Sequence, residues 1–372
     1  MKIVFLCGCL EPGCDGVGDY TRRLAGEVVR QGHEAAIVSL NDHFVKDEIM
    51  GIQYSEEIEL PVLRIPSAMT NKKRFERTKK FIDAFDPYWL SVQYVPYSFH
   101  LKGLPFSLNN LLGYLRQDKS VHIMFHELWV GDDDSLKLKV YSLLQKLIIK
   151  QIKRKLNPDL VHTHLPDYYV KLKNLKFEVK PLPLFSNIDV KKNGVTYNTG
   201  NVFRVGVFSQ INIDESITQF LLHLKETILL QGMSFEILLI GDNDKLKKFG
   251  TTLETLNGFK NLIKYTGFSE NEKVSHAIQT CSMGLTSVPT HALGKSGSVA
   301  AFLFHGIPVA AFSNNSNGEE GFFSSNLCNS IITTPDLLSF DRAKTAALRS
   351  KKEMEISGIT ERFLSDLHNS TI

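Results

Sequence analysis

One segment in the second half of the chain combines a cation, two hydroxyls and a glycine at the start of a predicted helix. Lys295, Ser296, Gly297 and Ser298 follow a predicted strand that ends near Val288. A helix N-terminus attracts anions, and its unpaired N–H groups can bind phosphate oxygens. The segment therefore predicts a diphosphate-binding loop. The alternative is a serine-capped helix beside a lysine that is only solvated.

A second anion site is predicted near the N-terminus. The apolar stretch 2–7 predicts a strand, and a glycine-containing loop follows before a helix that starts near Val17–Thr21. Glycine lets backbone N–H groups approach a ligand without hindrance from a Cβ atom. Gly16 and Gly18 are therefore candidate ligand-binding residues, although their spacing is not G-x-G-x-x-G. A tight turn without a ligand is the alternative.

A histidine and a glutamate end another predicted strand of the first half. His126 and Glu127 close the strand 121–127, and His122 stands near its start. In open α/β sheets, ligands bind outside the carboxyl ends of the strands. An imidazole there can act as a general base or bind a hydroxyl. We predict this role for His126 and a structural role for His122, with a purely structural His126 as the alternative.

Two groups of residues could suggest a metal site. Asp132–Asp134 precede a predicted helix, where acidic residues cap and stabilise the positive end. Cys7, Cys9 and Cys14 are close in sequence, but their spacing fits no familiar zinc pattern. We therefore expect no metal, a capped helix and reduced cysteines around a buried strand. Five unevenly placed cysteines do not form a disulfide scaffold, which favours a cytosolic protein.

A loop in the second half is a weaker candidate for binding a nucleotide base. Gly267 and Phe268 follow the predicted strand 262–267. Backbone groups there could hydrogen-bond a base edge while the phenyl ring packs against it. The alternative is structural, because Ser269 and Glu272 have the spacing of a capping box.

Length and composition limit the class of protein. The chain has 372 residues, which at about 150 residues per domain indicates two domains. Lysine and arginine total 43 against 40 acidic residues, a formal net charge of +3, which does not predict a nucleic-acid binder. The sequence contains no window of 18 uninterrupted apolar residues, so we expect no transmembrane helix. The apolar stretch 3–10 is too short for a signal peptide.

These candidate residues lie in two successive runs of alternating strands and helices. Nearly continuous apolar strands are typical of parallel sheets covered by helices on both faces. The alternation predicts an α/β fold with two doubly wound sheets. The predicted parts are a first domain at 1–190, a polar linker at 191–201, a second domain at 202–340 and C-terminal helices at 341–372.

A basic helix is predicted over 138–156. Leu144, Ile148 and Ile152 share one face, and lysines and an arginine surround it. Such a helix can lie on an anionic membrane, and a second basic cluster at 72–80 would support that. A core-facing helix with a solvated basic side is the favoured alternative.

Four segments together carry a resemblance to a known family. They are GVGDYTRRLAGEVVRQGHE (16–34), FHELW (125–129), GFSENEK (267–273) and HGIPVAAF (305–312). Their order and spacing, over residues 1 to about 315, resemble GT-B fold glycosyltransferases, close to the family 4 group. The resemblance implies two Rossmann-like domains that face a cleft, with C-terminal helices that cross back to the first domain.

The resemblance also implies an activity and a set of site residues. A hexosyltransferase would move a sugar from a nucleoside-diphosphate sugar to an acceptor hydroxyl, with retention and with neither metal nor cofactor. The acceptor would be a glycan, a lipid-linked molecule or a small molecule. The implied donor-binding residues are Gly16, Gly18, Gly267, Phe268, Lys295, Ser296, Gly297 and Ser298. The implied acceptor-binding residues are Asp19, His126 and Glu127, and the implied catalytic residues are His126 and Lys295.

The sequence departs from the family pattern at two places. Leu293 and Ala301 stand where family 4 enzymes usually carry two glutamates. The usual basic pair after the first strand of the second domain is also missing, since 206–216 contains no arginine or lysine. Two alternatives therefore stay open. They are a sugar-nucleotide epimerase on the same fold and a non-catalytic subunit that binds a nucleotide sugar or a partner enzyme.

Overall fold

A computed structural model describes residues 1–131, 135–190, 201–208, 211–256, 258–312 and 322–370. The chain divides into two compact units, one formed by Met1–Leu182 with Thr360–Ile372 and the other by Pro183–Ile359. The predicted linker, apart from Asn201, and the Asp132–Asp134 run lie outside the described residues.

The described part of the first unit is built on an eight-stranded sheet in the order β3-β4-β2-β1-β5-β6-β7-β8. The strands are β1 (Lys2–Cys7), β2 (Glu34–Asp42), β3 (Ile49–Ser55), β4 (Ile58–Pro66), β5 (Trp89–Tyr94), β6 (Ser120–Phe125), β7 (Leu160–Thr163) and β8 (Val179–Pro181). The helices are α1 (Gly16–Arg30), α2 (Asn71–Phe85), α3 (Pro96–Phe99), α4 (Phe106–Arg116), α5 (Leu136–Leu156) and α6 (Pro166–Asn174). The strand order reverses between β1 and β5, as in doubly wound sheets.

Residues 49–66 form a hairpin that the apolar-run pattern did not predict. β3 pairs antiparallel with β4, and β4 pairs parallel with β2. Most of β3 is exposed, because an edge strand has no neighbour on one side and no helix need cover it. A strand of this kind lacks the continuous apolar run by which the other strands were recognised.

The described strands of the second unit form a six-stranded parallel sheet in the order β11-β10-β9-β12-β13-β14. The strands are β9 (Val202–Phe208), β10 (Ser234–Ile240), β11 (Ile263–Tyr265), β12 (Met283–Leu285), β13 (Val309–Ala310) and β14 (Ile331–Ile332). The helices are α7 (Glu215–Leu230), α8 (Asp244–Thr255), α9 (Asn271–Gln279), α10 (Gly297–Phe304), α11 (Ser325–Asn329) and α12 (Leu337–Ser350), with short 3-10 turns at Thr290–Lys295 and Lys351–Met354. Here the order reverses between β9 and β12.

The division differs in detail from the predicted boundaries. The first unit ends at Leu182 rather than at residue 190. Ser186 donates its N–H to the carbonyl of Met354, and Ile188 is buried in the core of the second unit. At the C-terminus, α12 stays with the second unit. The last helix, α13 (Ile356–Asn369), belongs to the first unit from Thr360 onward.

The end of α13 is held in the core of the first unit by ring contacts. The Phe363 side chain is fully buried, and its ring lies 6.1 Å from that of Phe5 and 5.1 Å from that of His122, centroid to centroid. Burying a phenyl ring of this size contributes about 1.5–3 kcal/mol. The chain terminus is therefore part of the first unit's core.

Candidate functional site

A cavity of about 370 Å³ opens at the point in the second unit where the strand order reverses. Its walls come from the carboxyl ends of β9 and β12 and from the start of α10. The lining residues are Asn187, Ile188, Phe208, Val288, Ser296, Gly297 and Ser298. In open α/β sheets this is where ligands bind. Three of the predicted diphosphate-binding residues, Ser296, Gly297 and Ser298, are therefore brought together at one cavity.

The start of α10 carries a neutral cap. The hydroxyl of Ser296 accepts the N–H of Val299 at 3.3 Å and lies 3.1 Å from the hydroxyl of Ser298. An α-helix leaves its first N–H groups without acceptors inside the helix. Once Ser296 has taken that of Val299, the N–H groups of Gly297 and Ser298 have no acceptor among the described residues and can bind a ligand. A Cβ atom on Gly297 would meet nothing within 4 Å, so packing does not require a glycine there.

Lys295 immediately precedes this cap and is exposed. It pairs with no carboxylate in the described part of the chain, and it is not among the residues that line the cavity. The second unit therefore presents an uncompensated cation one residue from an open helix N-terminus. That combination favours an anion on electrostatic grounds.

The predicted base-binding residues lie on the same side of the sheet but outside the cavity. Gly267 follows β11 with a φ of +70° and forms an isolated bridge with Gly241, after β10. The side chain of Phe268 is 86% exposed. Because β11 is separated from β9 by β10, the structure does not join these residues to the cavity.

The two positions that depart from the family pattern have structural roles. Ala301 is fully buried, and its carbonyl accepts a hydrogen bond from the ring of His305 at 2.7 Å. Burial lowers the pKa of His305 to about 4, and its other ring nitrogen bonds Ser275 at 2.8 Å. Leu293 lines a mainly apolar cavity of about 580 Å³, which adjoins the first cavity because Ser296 lines both. Neither side chain offers a carboxylate for sugar hydroxyls.

The start of α1, the other predicted anion site, is already neutralised. Asp15 is the N-cap, and its carboxylate accepts the N–H groups of Val17 and Gly18, both at 2.8 Å. Asp19 accepts the N–H of Gly13 at 3.1 Å and pairs with Arg22. The N–H groups of Gly13, Val17 and Gly18 are thus occupied by carboxylates of the chain itself.

Gly18 has a packing role. A Cβ atom at this position would lie 2.5 Å from the carbonyl oxygen of Cys9, so only glycine lets α1 approach the loop that follows β1. A Cβ atom on Gly16 would meet nothing within 4 Å. The structure therefore supports the tight-turn alternative for Gly18, and a donor-binding role for Gly16 and Gly18 stays a prediction.

His126 lies just after β6 and is almost fully buried. Its Nε2 is 3.0 Å from Oε1 of Gln93, and its ring packs edge-on against Tyr20 at 4.9 Å between centroids. Burial and the neighbouring His164 hold the pKa of His126 well below its ordinary value. The imidazole is therefore neutral at pH 7, and because an amide oxygen only accepts, Nε2 carries the proton.

Glu127 opens onto a different cavity, of about 230 Å³, at the carboxyl ends of β5 and β6. Aromatic side chains form much of its wall, and the lining residues include Tyr97, Trp129 and Tyr168. Burial raises the pKa of Tyr168 to about 12, helped by the charges of Glu127 and Asp167. A carboxylate beside aromatic rings can accept hydrogen bonds from a hydroxylated ligand.

The described residues contain no group of three or more histidine, cysteine or acidic side chains that could hold a metal ion. Cys7, Cys9 and Cys281 are buried free thiols. No helix in the described ranges is long and apolar enough to cross a membrane.

Comparison with solved structures shows that the chain has the GT-B fold, which confirms the predicted fold class. No protein-family model and no curated protein sequence matches it. HepE of Anabaena, solved with UDP-glucose, matches with a TM-score of 0.61 and 14% identity, over 99% of this chain and 100% of that one. Sucrose-phosphate synthase of Thermosynechococcus elongatus matches with a TM-score of 0.62 and 14% identity, over 100% and 99% of the two chains.

One similar structure has a different activity in its name. It is a putative UDP-N-acetylglucosamine 2-epimerase of Listeria monocytogenes, with a TM-score of 0.53 and 11% identity over 99% of this chain and 96% of that one. At these identities the similarity concerns the fold. The assignment to family 4 stays a prediction.

Proposed function

We propose that this protein is a glycosyltransferase that moves a hexosyl group from a nucleoside-diphosphate sugar to an acceptor hydroxyl. The observation that carries the proposal is the cavity at the start of α10, where Gly297 and Ser298 offer free N–H groups beside Lys295. The diphosphate of the donor would bind there. HepE, which shares the fold, was solved with UDP-glucose, and we therefore propose UDP as the first nucleotide to test.

In the reaction, the bond between the anomeric carbon and the β-phosphate oxygen breaks, and its electron pair stays on the phosphate. Lys295 and the N–H groups of Gly297 and Ser298 would stabilise that negative charge. Charge-assisted hydrogen bonds contribute about 1.5–3 kcal/mol each. These groups supply the positive charge that a bound metal would otherwise provide, so we propose a metal-independent transfer. EDTA should leave the activity intact.

The first unit would bind the acceptor, whose hydroxyl oxygen forms the new bond to the anomeric carbon while its proton passes to Nδ1 of His126. With its proton on Nε2, His126 presents an unprotonated Nδ1 that can accept the hydroxyl hydrogen bond. The aromatic cavity beside Glu127 would hold the acceptor body. Retention of the anomeric configuration is part of the proposal and follows from the family 4 resemblance.

Mass spectrometry across a panel of nucleotide sugars tests this function. Release of nucleoside diphosphate together with a glycosylated acceptor, or donor hydrolysis without acceptor, would support a transferase. The second candidate is a sugar-nucleotide epimerase, favoured by the Listeria structure. It would give a new sugar nucleotide of unchanged mass, which chromatography separates. Binding of UDP with no turnover of any donor would support the non-catalytic alternative, which the buried Ala301 favours.

The exposed face of α5 supports a proposal about where the acceptor is encountered. Ile148 and Ile152 are buried, so the core-facing interpretation is correct for that face. Leu136, Val140, Leu143 and Leu147 form an apolar stripe on the opposite side, each between 42% and 81% exposed. Their spacing of four, three and four residues places them on one face.

Basic residues continue this stripe. Lys150 and Arg154 extend the same face and are exposed, and α5 contains seven basic residues and no acidic one. An apolar stripe that continues into basic residues is complementary to the surface of an anionic bilayer. We propose that the protein contacts such a bilayer through this face and takes a membrane-associated acceptor.

Flotation with vesicles tests the membrane contact. Wild-type protein should bind vesicles that contain phosphatidylglycerol more strongly than phosphatidylcholine vesicles. Changing Leu143→Gln together with Leu147→Gln should weaken binding about 10-fold or more, given the apolar area removed. Leu229→Gln with Leu230→Gln, on an exposed part of α7, is the matched control. Unchanged binding of the α5 variant would refute the contact.

A further inference from the structure

A buried chain of hydrogen bonds connects His126 with the C-terminal helix. Every link is between 2.8 and 3.1 Å long. The links are His126 Nε2–Gln93 Oε1, Gln93 Nε2–Ser91 Oγ, Ser91 Oγ–His122 Nδ1, His122 Nε2–His162 Nδ1 and His162 Nε2–Asp366 Oδ2. All members belong to the first unit.

The carboxylate end fixes the direction of donation. Lys180 Nζ lies 2.7 Å from the other oxygen of Asp366. Burial opposes ionisation of Asp366, but hydrogen bonds from His162 and Lys180 keep its pKa below the ordinary value. A carboxylate only accepts, so Nε2 of His162 donates to it. Burial lowers the pKa of His162, so that ring is neutral and its Nδ1 carries a lone pair.

Each following group must then donate in the same direction. His162 Nδ1 accepts from Nε2 of His122, whose own Nδ1 accepts the hydroxyl proton of Ser91. The Ser91 oxygen accepts from the amide nitrogen of Gln93. The amide oxygen of Gln93 accepts from Nε2 of His126, which leaves the lone pair on Nδ1 of His126.

The opposite direction is unfavourable. It would require the amide of Gln93 to turn over and would place the Nε2 lone pair of His162 against the carboxylate of Asp366. The interior members are sealed from water, because Ser91, Gln93 and His162 have no exposed surface. Water therefore cannot replace a lost hydrogen-bond partner, and the protein's own groups alone set the direction of donation along the chain.

We infer that Asp366 sets the tautomer of His126 through five successive hydrogen bonds, so that Nε2 of His126 carries the proton and Nδ1 keeps its lone pair. The role of His126 in transfer rests on the proposed function, whereas the tautomer does not. Asp366, His162, His122, Ser91 and Gln93 are positioning residues. A carboxylate that fixes the tautomer of a catalytic histidine is a known device when in direct contact; here it acts over a distance.

Nitrogen-15 NMR of histidine rings in the full-length protein tests the inference. In wild type, the neutral rings of His122, His126 and His162 should all carry their proton on Nε2. An Nδ1-protonated ring at any of the three would overturn the inference without any variant or activity assay. This result is independent of the proposed function.

Asp366→Asn perturbs the chain. Because an amide can donate as well as accept, the direction of hydrogen-bond donation from His126 toward residue 366 is no longer fixed. His126 should then populate the Nδ1-protonated form, and kcat should fall about 10-fold or more at unchanged affinity for UDP. Asp167→Asn, which disrupts an ion pair with Lys171, is the matched control. If Asp366→Asn does not fold, Ser91→Ala severs the chain at its centre and should release His126 in the same way. A folded variant with the wild-type tautomer at His126 would contradict the inference.

Discussion

The first turns of α1 and α10 illustrate how similar sequence signals can produce different sites. Each helix follows a strand at the point where its sheet reverses order, and each first turn contains glycine. Both were predicted to bind an anion. At α1 the cap is Asp15, whose carboxylate takes two N–H groups, whereas at α10 the cap is the neutral Ser296 beside Lys295.

The charge of the cap therefore decides whether a helix N-terminus is available to an anionic ligand. A carboxylate cap both accepts the free N–H groups and cancels the positive end of the helix dipole. A hydroxyl cap accepts one N–H and leaves the electrostatic attraction in place. We therefore propose that the donor binds to the second unit and the acceptor to the first.

Removing His126 should have the largest effect and should separate the roles of the two units. His126→Ala should lower kcat by about 10²–10⁴-fold, the usual contribution of general acid–base catalysis, with little change in the affinity for UDP. The comparison needs kcat, the UDP dissociation constant and the melting temperature of the same preparation. The exposed His223 supplies a control as His223→Ala. A folded His126→Ala variant with normal kcat would remove this residue from the mechanism.

Exchanging the cap of α10 should reproduce the α1 arrangement. Ser296→Asp retains a good N-cap but places a carboxylate where the diphosphate should bind. Two charges about 4 Å apart interact by about 4 kcal/mol at the effective dielectric near a protein surface, so UDP affinity should fall about 10²-fold or more. Ser296→Asn, a neutral cap of similar size, is the control and should bind UDP much better. Equal affinities in calorimetry would disprove the assignment.

Lys295→Ala should weaken UDP binding by about 1.5–3 kcal/mol, which corresponds to roughly 10- to 150-fold, and should leave the melting temperature unchanged. The exposed Lys248 on α8 gives the control Lys248→Ala. If the affinities for both UDP and GDP survive the loss of Lys295, the diphosphate does not bind beside it.

Substitution of two glycines by alanine should affect different properties, stability at one position and UDP binding at the other. Gly18→Ala forces a Cβ atom against the carbonyl of Cys9 and should destabilise the protein by about 1–3 kcal/mol. Gly297→Ala has free space around its Cβ atom and should leave the unfolding free energy nearly unchanged while weakening UDP binding. Denaturant unfolding and calorimetry on both variants provide the test. Equal stability of the two variants would mean that Gly18 is not a packing glycine.

Asp15→Ala should have the smallest effect. Loss of an N-cap costs about 0.5–2 kcal/mol of stability, and UDP affinity should not change, because we propose that the donor binds to the second unit. A marked gain or loss of UDP affinity would place the donor at α1 after all.

The sheets could be predicted because a strand covered on both faces is mostly apolar. WLSVQY (89–94) and FEILLIG (235–241) were recognised in this way and correspond to β5 and β10. The exposed β3 carries no such signal. On α5 the buried Ile148 and Ile152 were recognised, but the exposed apolar stripe was not, because sequence periodicity does not say which of two apolar faces meets the core.

The hydrogen-bond chain was largely beyond sequence analysis. Ser91 and Gln93 did leave a signal, since two polar residues two positions apart in a buried strand lie on one face and require buried partners. His122 also interrupts an apolar strand. The final member, Asp366, stands 204 residues from His162, and nothing local to either residue reveals the pairing. The cap of α1 was missed because Asp15 was read as part of a glycine loop.

A crystal structure of the protein with UDP would show directly where the diphosphate binds. We predict diphosphate oxygens within hydrogen-bonding distance of the N–H groups of Gly297 and Ser298, with the ammonium of Lys295 turned toward them and Asp15 still capping α1. A diphosphate held at the start of α1, or anywhere away from the start of α10, would contradict it.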